Sequence, residues 1–393
     1  MNNEMLVKLG EVMKKDNVDA LMVAPGNDMV FLLGTSTHLC ERFQALIIKN
    51  DGDYFYICNL LTVDEAKDMI PGHDVYGWFD GEDFTQVVKK AFEEHGLTGK
   101  TIAVNGTVRA FNVCKMVEKL DNKFVNGKDY LEETRIIKTP EELENLRKAS
   151  LIADKAFEEI VKFIKPGMTE ADIVNKIKAV MLENGADSAG GGIVARGENA
   201  ALPHYMGKSG VVKEKDIVEM DYGCTYKGMW SDITRTVFVG EPTEREKLVY
   251  NTVLAANLKG IESAKNGAYI PDVEKAARDV IGEAGFGQYF THRLGHGIGY
   301  AGHEAPYITG VTKRNLEPGM AFSIEPGIYI KDEIGVRIED IVIINEKGET
   351  EVLNHATKEM ISSGFDLSLY TCTPGGSNRV TVRCLLKDFT EPK

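Results

Sequence analysis

The sequence predicts an α/β layer domain followed by an α+β domain built from a duplicated α-α-β-β unit. Two observations carry this. Residues 1–130 alternate short helical and apolar strand patterns, the rhythm of sheet and helix layers. Beyond residue 138, two long helices each open on a capping box and lead through a second helix into β-rich sequence. Each β-rich part holds a hairpin with two acidic residues.

In chain order, Leu6 to Lys15 has helical spacing, while Asp19 to Val23 and Phe43 to Ile48 are apolar runs. Tyr54 to Leu60, a helical Phe84 to Glu94 and Thr101 to Val104 continue the alternation. The domain boundary is expected near Glu132 to Lys138. Thr139-Pro140-Glu141-Glu142 then supplies an N-cap, a first-turn proline and a capping-box glutamate. The helix it opens runs to about Ile164, where Lys165-Pro166-Gly167 breaks it, and a second spans about Glu170 to Asn184 before Gly185. Thr243-Glu244-Arg245-Glu246 repeats the capping box, Gly267 falls in the break, and a helix from Pro271 stops at Gly285. Shifted by 100, Gly167, Asp172, Val180, Glu183 and Gly185 meet Gly267, Asp272, Val280, Glu283 and Gly285. The strands of the two copies are expected to share one sheet. Residues 363–393 lie past the second copy; Phe365 to Cys372 and Arg379 to Leu386 alternate as an added hairpin would, and a tail without fixed structure fits equally.

Composition narrows the function classes. Hydrophobic residues make up 43% and charged residues 27% of the 393 positions, which excludes disordered and collagen-like chains. A net charge of −14 repels phosphate backbones and argues against nucleic acid. No apolar run reaches the ~18 residues of a membrane span. The first 26 residues lack the apolar core of a signal peptide. Six cysteines without CxxC spacing read as reduced thiols. A cytoplasmic location is therefore expected.

The hairpins carry the chemistry. If the first turns between Tyr226 and Lys227, Asp221 faces Asp232, and a bulge at Gly228 would shift that register. In the second, Glu325 and Glu339 are symmetric about Asp332. Like charges facing across a ladder repel, so they need solvent or a cation between them. Exposed strands often carry carboxylates, which would explain either pair alone; two pairs in corresponding places favour a metal site. Three of the eight histidines, His292, His296 and His303, fall just before the second hairpin, and neutral imidazole is a common metal ligand. The Gly297 to Gly302 run spells GxGxxG, but His303-Glu-Ala-Pro306 opens no helix, so a dinucleotide site is rejected. Four carboxylates with one histidine balance about two divalent cations, with Mn²⁺, Co²⁺ or Fe²⁺ favoured over Zn²⁺. Hydrolysis is the natural reaction class.

Seven motifs in order then resemble the pita-bread metallopeptidases, closest to Xaa-Pro dipeptidases (prolidases) and Xaa-Pro aminopeptidases. They are Pro203-His204, Met220-Asp221-Tyr-Gly, Ser231-Asp232-Ile-Thr-Arg-Thr, Gly295-His296-Gly-Ile-Gly, His303-Glu-x-Pro, Ile324-Glu325-Pro-Gly and Arg337-Ile-Glu339-Asp340. The resemblance spans about residues 20–362. It implies a creatinase-type α/β domain over 1–132, a pita-bread catalytic domain over 139–362, and a homodimer. It also implies Asp221, Asp232, His296, Glu325 and Glu339 as ligands of two divalent metals, Mn²⁺ foremost. Glu325 would shuttle the proton for a metal-bridging hydroxide, and His204 and His303 would contact substrate. The implied reaction is hydrolysis of the Xaa-Pro bond in dipeptides or short peptides. Aminopeptidase action on longer peptides is the alternative, and a non-catalytic binding protein on this fold is a third. A dipeptidase must also neutralise its substrate's carboxylate. Some relatives use an arginine where Tyr307 stands here, so Arg314 is the candidate anchor, and His38 matches a region that approaches a neighbouring subunit's site.

Overall fold

The computed structural model describes residues 3–190, 192–207, 209–363, 367–372 and 379–384. Two units emerge, residues 1–138 with 299–305 and residues 139–298 with 306–393.

The first unit contains helices α1 (Asn3–Lys15), α2 (Asn27–Leu33), α3 (Val63–Met69), α4 (Phe84–Glu94), α5 (Ala110–Lys119) and α6 (Lys128–Arg135). Its strands are β1 (Ala20–Val23), β2 (Ala45–Lys49), β3 (Tyr54–Asn59), β4 (Val75–Trp78), β5 (Thr101–Val104) and β6 (Lys123–Asn126). They form one sheet in the order β4-β3-β2-β1-β5-β6. All four residues of β1 are buried, because both faces are covered. Leu21 and Val23 pack with Leu9 and Met13 of α1, while Ala20 and Met22 share a second cluster with Val88 and Phe92 of α4. The alternation read from the sequence is this three-layer arrangement; α2, α3, α5, α6, β4 and β6 add to it.

In the second unit, α7 (Pro140–Phe163) and α8 (Glu170–Glu183) precede β7 (Ser188–Ala189) and β8 (Ile193–Arg196). The first hairpin follows as β9 (Ile217–Tyr222), β10 (Cys224–Tyr226), β11 (Met229–Trp230) and β12 (Ile233–Val239). Next come α9 (Glu244–Ser263), α10 (Ile270–Glu283), β13 (Gly295–Gly297) and β14 (Glu304–Ile308). The second hairpin is β15 (Ala321–Ile324), β16 (Gly327–Ile330), β17 (Ile334–Arg337) and β18 (Asp340–Ile344), and β19 (Thr350–Val352) and β20 (Ser362–Ser363) close the unit. Both expected capping boxes form: Thr139 and Thr243 accept from the N–H of Glu142 and Glu246, whose carboxylates accept in return. Phe157 and Ile160 of α7 and Ile173 and Ile177 of α8 pack on Val194, Val218, Met220 and Val237.

The strands do not share one sheet: the two larger sheets are β20-β12-β9-β8 and β14-β13-β15-β18-β19, and β11-β10-β7 and β16-β17 form smaller ones. The two larger sheets meet at a bridge between Thr234 and Glu339, where the Glu339 N–H donates to Thr234 O at 3.1 Å. Arg235 locks the seam. Its guanidinium is buried, pairs with Asp340 at 2.7 Å and donates to the carbonyl of Ala356 at 2.9 Å.

The first hairpin also departs from the expected register. Lys227 and Gly228 both have positive φ, 47° and 79°, making a two-residue turn that matches strand twist. Tyr226 therefore pairs with Met229, and Asp221 faces Thr234 rather than Asp232. Asp232 lies two residues from Thr234, so it becomes the diagonal neighbour of Asp221. The second hairpin pairs Ile324 with Asp340 and Gly327 with Arg337, which keeps Glu325 and Glu339 symmetric about Asp332. After residue 363, β21 (Leu367–Cys372) and β22 (Arg379–Cys384) pair antiparallel, with Cys372 opposite Arg379 and Cys384 opposite Leu367.

Candidate metal centre

Four carboxylates and one imidazole of the second unit converge where its two hairpins meet. The ladders lapse at Asp232, between β11 and β12, and at Glu325 and Glu339. Asn257 of α9 satisfies two carbonyls freed at the second break, donating to Ile324 O at 3.0 Å and Ile338 O at 3.3 Å. Donor atoms of Asp221, Asp232 and Glu339 lie within 4.8 Å of one another, as do those of His296, Glu325 and Glu339.

The imidazole is pre-oriented. His296 Nδ1 lies 3.1 Å from Gly297 O; a carbonyl only accepts, so Nδ1 carries the proton and Nε2 keeps its lone pair. Nε2 is 3.3 Å from Glu325 Oε1 and 4.0 Å from Asp232 Oδ2. Ser323 Oγ accepts from the His296 N–H at 3.1 Å and donates to Glu325 Oε1 at 3.1 Å. Gly295 allows this approach: a Cβ there would lie 1.9 Å from Ser323 O.

The electrostatics are those of a cation site. Burial first, then the charges of Asp221 and Glu325, holds Asp232 well above the usual carboxylate range. Burial followed by Asp232, Glu325 and Asp221 does the same to Glu339. Burial pushes Glu325 up to about 7, with Asp221 adding and Arg337 opposing. Glu339 Oε2 accepts from Thr234 Oγ1 at 2.7 Å, whereas Oε1 is buried without a hydrogen-bond partner. Oxygen-rich donors with one imidazole, mutual repulsion and an orphaned carboxylate oxygen together fit a divalent cation.

Beneath these groups lies a buried network that sequence reasoning missed. Arg337 donates to Asp221 Oδ2 at 2.8 Å, Tyr329 Oη at 2.7 Å and Thr234 Oγ1 at 3.1 Å, and stands 3.1 Å from Glu219 Oε1. Burial raises Glu219 to about 7 despite that cation. Burial and then Arg337 push His292 down to about 4. Its Nδ1 lies 2.7 Å from Arg293 O, so the neutral ring accepts the Tyr329 hydroxyl proton at Nε2, 3.0 Å away.

The remaining expected residues lie outside these two donor groups. His204 is exposed in the segment after β8. The Tyr307 ring lies under the Arg293 guanidinium at 4.6 Å, and the Arg293 charge acts on Glu325. Arg314 stands 3.7 Å from Glu317. His38 and His303 are exposed in the first unit, where Glu304, beside His303, is buried against Arg135 and Lys138.

Comparison with known proteins gives the lineage. Residues 144–346 match metallopeptidase family M24, and residues 5–137 match the creatinase/prolidase N-terminal domain. A probable dipeptidase of Mycobacterium tuberculosis is 35% identical over 345 residues, 87% of this chain and 91% of that protein. The structure of a dipeptidase from Pyrococcus horikoshii matches with a TM-score of 0.84 at 35% identity, covering 91% of this chain and 99% of the other. A Thermococcus sibiricus prolidase matches at 0.87 and 32% identity, covering 92% and 99%. That likeness runs through both units and nearly the whole length of each relative, so the chain belongs to metallopeptidase family M24, a divalent-metal-dependent peptidase of the pita-bread fold with a creatinase/prolidase domain in front.

Proposed function

We propose that this chain hydrolyses the Xaa-Pro bond of dipeptides. The observation that carries the reading is the double donor group, with Glu339 common to the Asp221–Asp232 and the His296–Glu325 sets. Those five residues would hold two divalent cations, Mn²⁺ foremost from the oxygen-rich donors. Such cations supply Lewis acidity at the scissile carbonyl and make water acidic near neutral pH. Glu325 takes the proton of the attacking water and returns it to the proline nitrogen. The proline nitrogen leaves poorly unless protonated, so a positioned acid is needed there. His204 and His303 bind the substrate and the developing oxyanion, and neither is needed to hold metal. Related dipeptidases and a prolidase support the dipeptide reading.

Arg314 is proposed as the carboxylate anchor, and Arg293 competes for that role because its charge reaches Glu325. We further propose residues 1–132 and 139–362 as the two domains, and a cytoplasmic homodimer in which His38 approaches the neighbouring site. No helix among the described residues is long and apolar enough to cross a membrane.

Mn²⁺-supported cleavage of Ala-Pro should exceed that of Ala-Pro-Ala. Faster turnover of the tripeptide would make the enzyme an aminopeptidase. An unchanged dipeptide KM in Arg314→Ala, with a raised one in Arg293→Ala, would move the anchor to Arg293.

A further inference from the structure

We propose that Glu170 is a positioning residue that fixes the loop bearing His204. The inference rests on the reading of His204 as a substrate-contacting group. Glu170 is the first residue of α8 and is fully buried, yet its carboxylate serves residues far along the chain. Oε1 accepts from the Arg196 N–H at 3.0 Å and Asn199 Nδ2 at 2.8 Å. Oε2 accepts from the Tyr205 hydroxyl at 2.9 Å and the Gly210 N–H at 2.9 Å. These four donors bracket His204, from the end of β8 to the point where the loop returns toward β9.

A carboxylate is the side chain that can accept on two lone pairs at each of two oxygens, and the N-terminus of α8 favours its charge. The backbone closes the same contact, since the Glu170 N–H donates to Gly210 O at 2.9 Å. A Cβ on Gly210 would lie 2.7 Å from the Glu170 carboxyl, so the loop is seated directly on it. The loop's two ends are also joined: Arg196 pairs with Asp216 through two contacts of 2.7 Å, and Asp216 accepts from the Lys213 N–H at 2.7 Å. His204 itself is exposed and makes no part of this clamp. Its direction is set through Tyr205, the next residue, whose hydroxyl is tied to Glu170. Among the described residues of the loop, Glu170 alone binds both flanks and the residue adjoining His204.

The test is a double-mutant cycle on the full-length, Mn²⁺-loaded enzyme, using whichever of Ala-Pro and Ala-Pro-Ala it turns over. Glu170→Gln keeps the volume but offers an amide to two of the donors. It should lower kcat by about 10- to 100-fold with KM little changed, the scale of a misplaced catalytic group. Metal content should stay constant, and amide exchange at Arg196 and Gly210 should quicken. In the His204→Ala background the same change should cost less than about twofold, because the two residues act as one unit. Tyr205→Phe, which removes a single hydroxyl, should behave likewise at smaller scale, and it carries the cycle if Glu170→Gln fails to fold. Losses that multiply fully in the double variant would overturn the inference, as would normal turnover in a Glu170→Gln enzyme with quickened exchange. Normal turnover in His204→Ala alone would overturn the reading of His204, and the inference with it.

Discussion

Glu325→Gln should stabilise the metal-free protein, although it removes a group central to the proposed chemistry. Glu325 titrates at about 7 in the fold against an ordinary 4.5, raised first by burial and then by Asp221. Between those values the folded chain holds a proton that the unfolded chain has released, so wild-type stability falls as pH rises through that window. Below 4.5 both states are protonated and the variant should gain nothing. Above 7 the penalty is complete. At about 1.4 kcal/mol per pH unit the rise corresponds to roughly 3 kcal/mol. Glutamine keeps the shape and can still accept from Ser323 Oγ, so most of that should be recovered. For a domain of roughly 150–250 residues each kcal/mol moves Tm by about 2–4 °C, giving a gain of roughly 4–10 °C at pH 8.

The assay is thermal unfolding in excess chelator at pH 4, 6 and 8, repeated with saturating Mn²⁺. In chelator the advantage of Glu325→Gln should be absent at pH 4 and full at pH 8. With metal the advantage should largely disappear, because a cation at 100 times its Kd adds about 2.7 kcal/mol to a protein that binds it folded, and the variant has lost a donor. A variant no more stable than wild type at pH 8 in chelator would refute the reasoning, as would an advantage that persists at pH 4.

Asp232→Asn and Glu339→Gln should each lose activity together with bound metal, and elemental analysis showing full occupancy in both would remove them from the ligand set. Arg337→Met should cost about 3–5 kcal/mol, because it leaves the buried Glu219 and the partly buried Asp221 without their cation; urea titrations should show a larger loss at pH 8 than at pH 5, where Glu219, already near 7, can take up a proton. Gly295→Ala should weaken metal binding measured by calorimetry, since its Cβ would strike Ser323 O at 1.9 Å and displace the hydroxyl that aligns His296 and Glu325.

How much of this was legible in the sequence follows the range of the interactions. The helices opened by Thr139 and Thr243 were readable because a capping box is complete within four residues. The α4 and β5 limits fell where their patterns began and ended, since burial on a sheet imposes its period directly. The first hairpin's register was misread because Lys227 takes a left-handed conformation, which its residue type gives little reason to expect. The loss was small: a two-residue turn moved Asp232 from facing Asp221 to its diagonal, and the pair stayed on one face.

The network under the donors was harder to see, though its signal was present. Glu219 and Asp221 are two apart on one strand, and Arg337 and Glu339 are two apart across the break at the second hairpin. Side chains two apart in a strand share a face, so whatever turns Asp221 inward turns Glu219 inward too. A second carboxylate carried into the core beside a site that already repels itself demands a cation from the protein. Arg337, placed by the same rule beside Glu339, is the arginine that the opposite strand delivers. What the sequence could not supply was the seam, the Thr234–Glu339 bridge between sheets. It brings Arg337 to Thr234, Asp221 and Glu219 at once, and it exists only because two copies of one unit fold against each other.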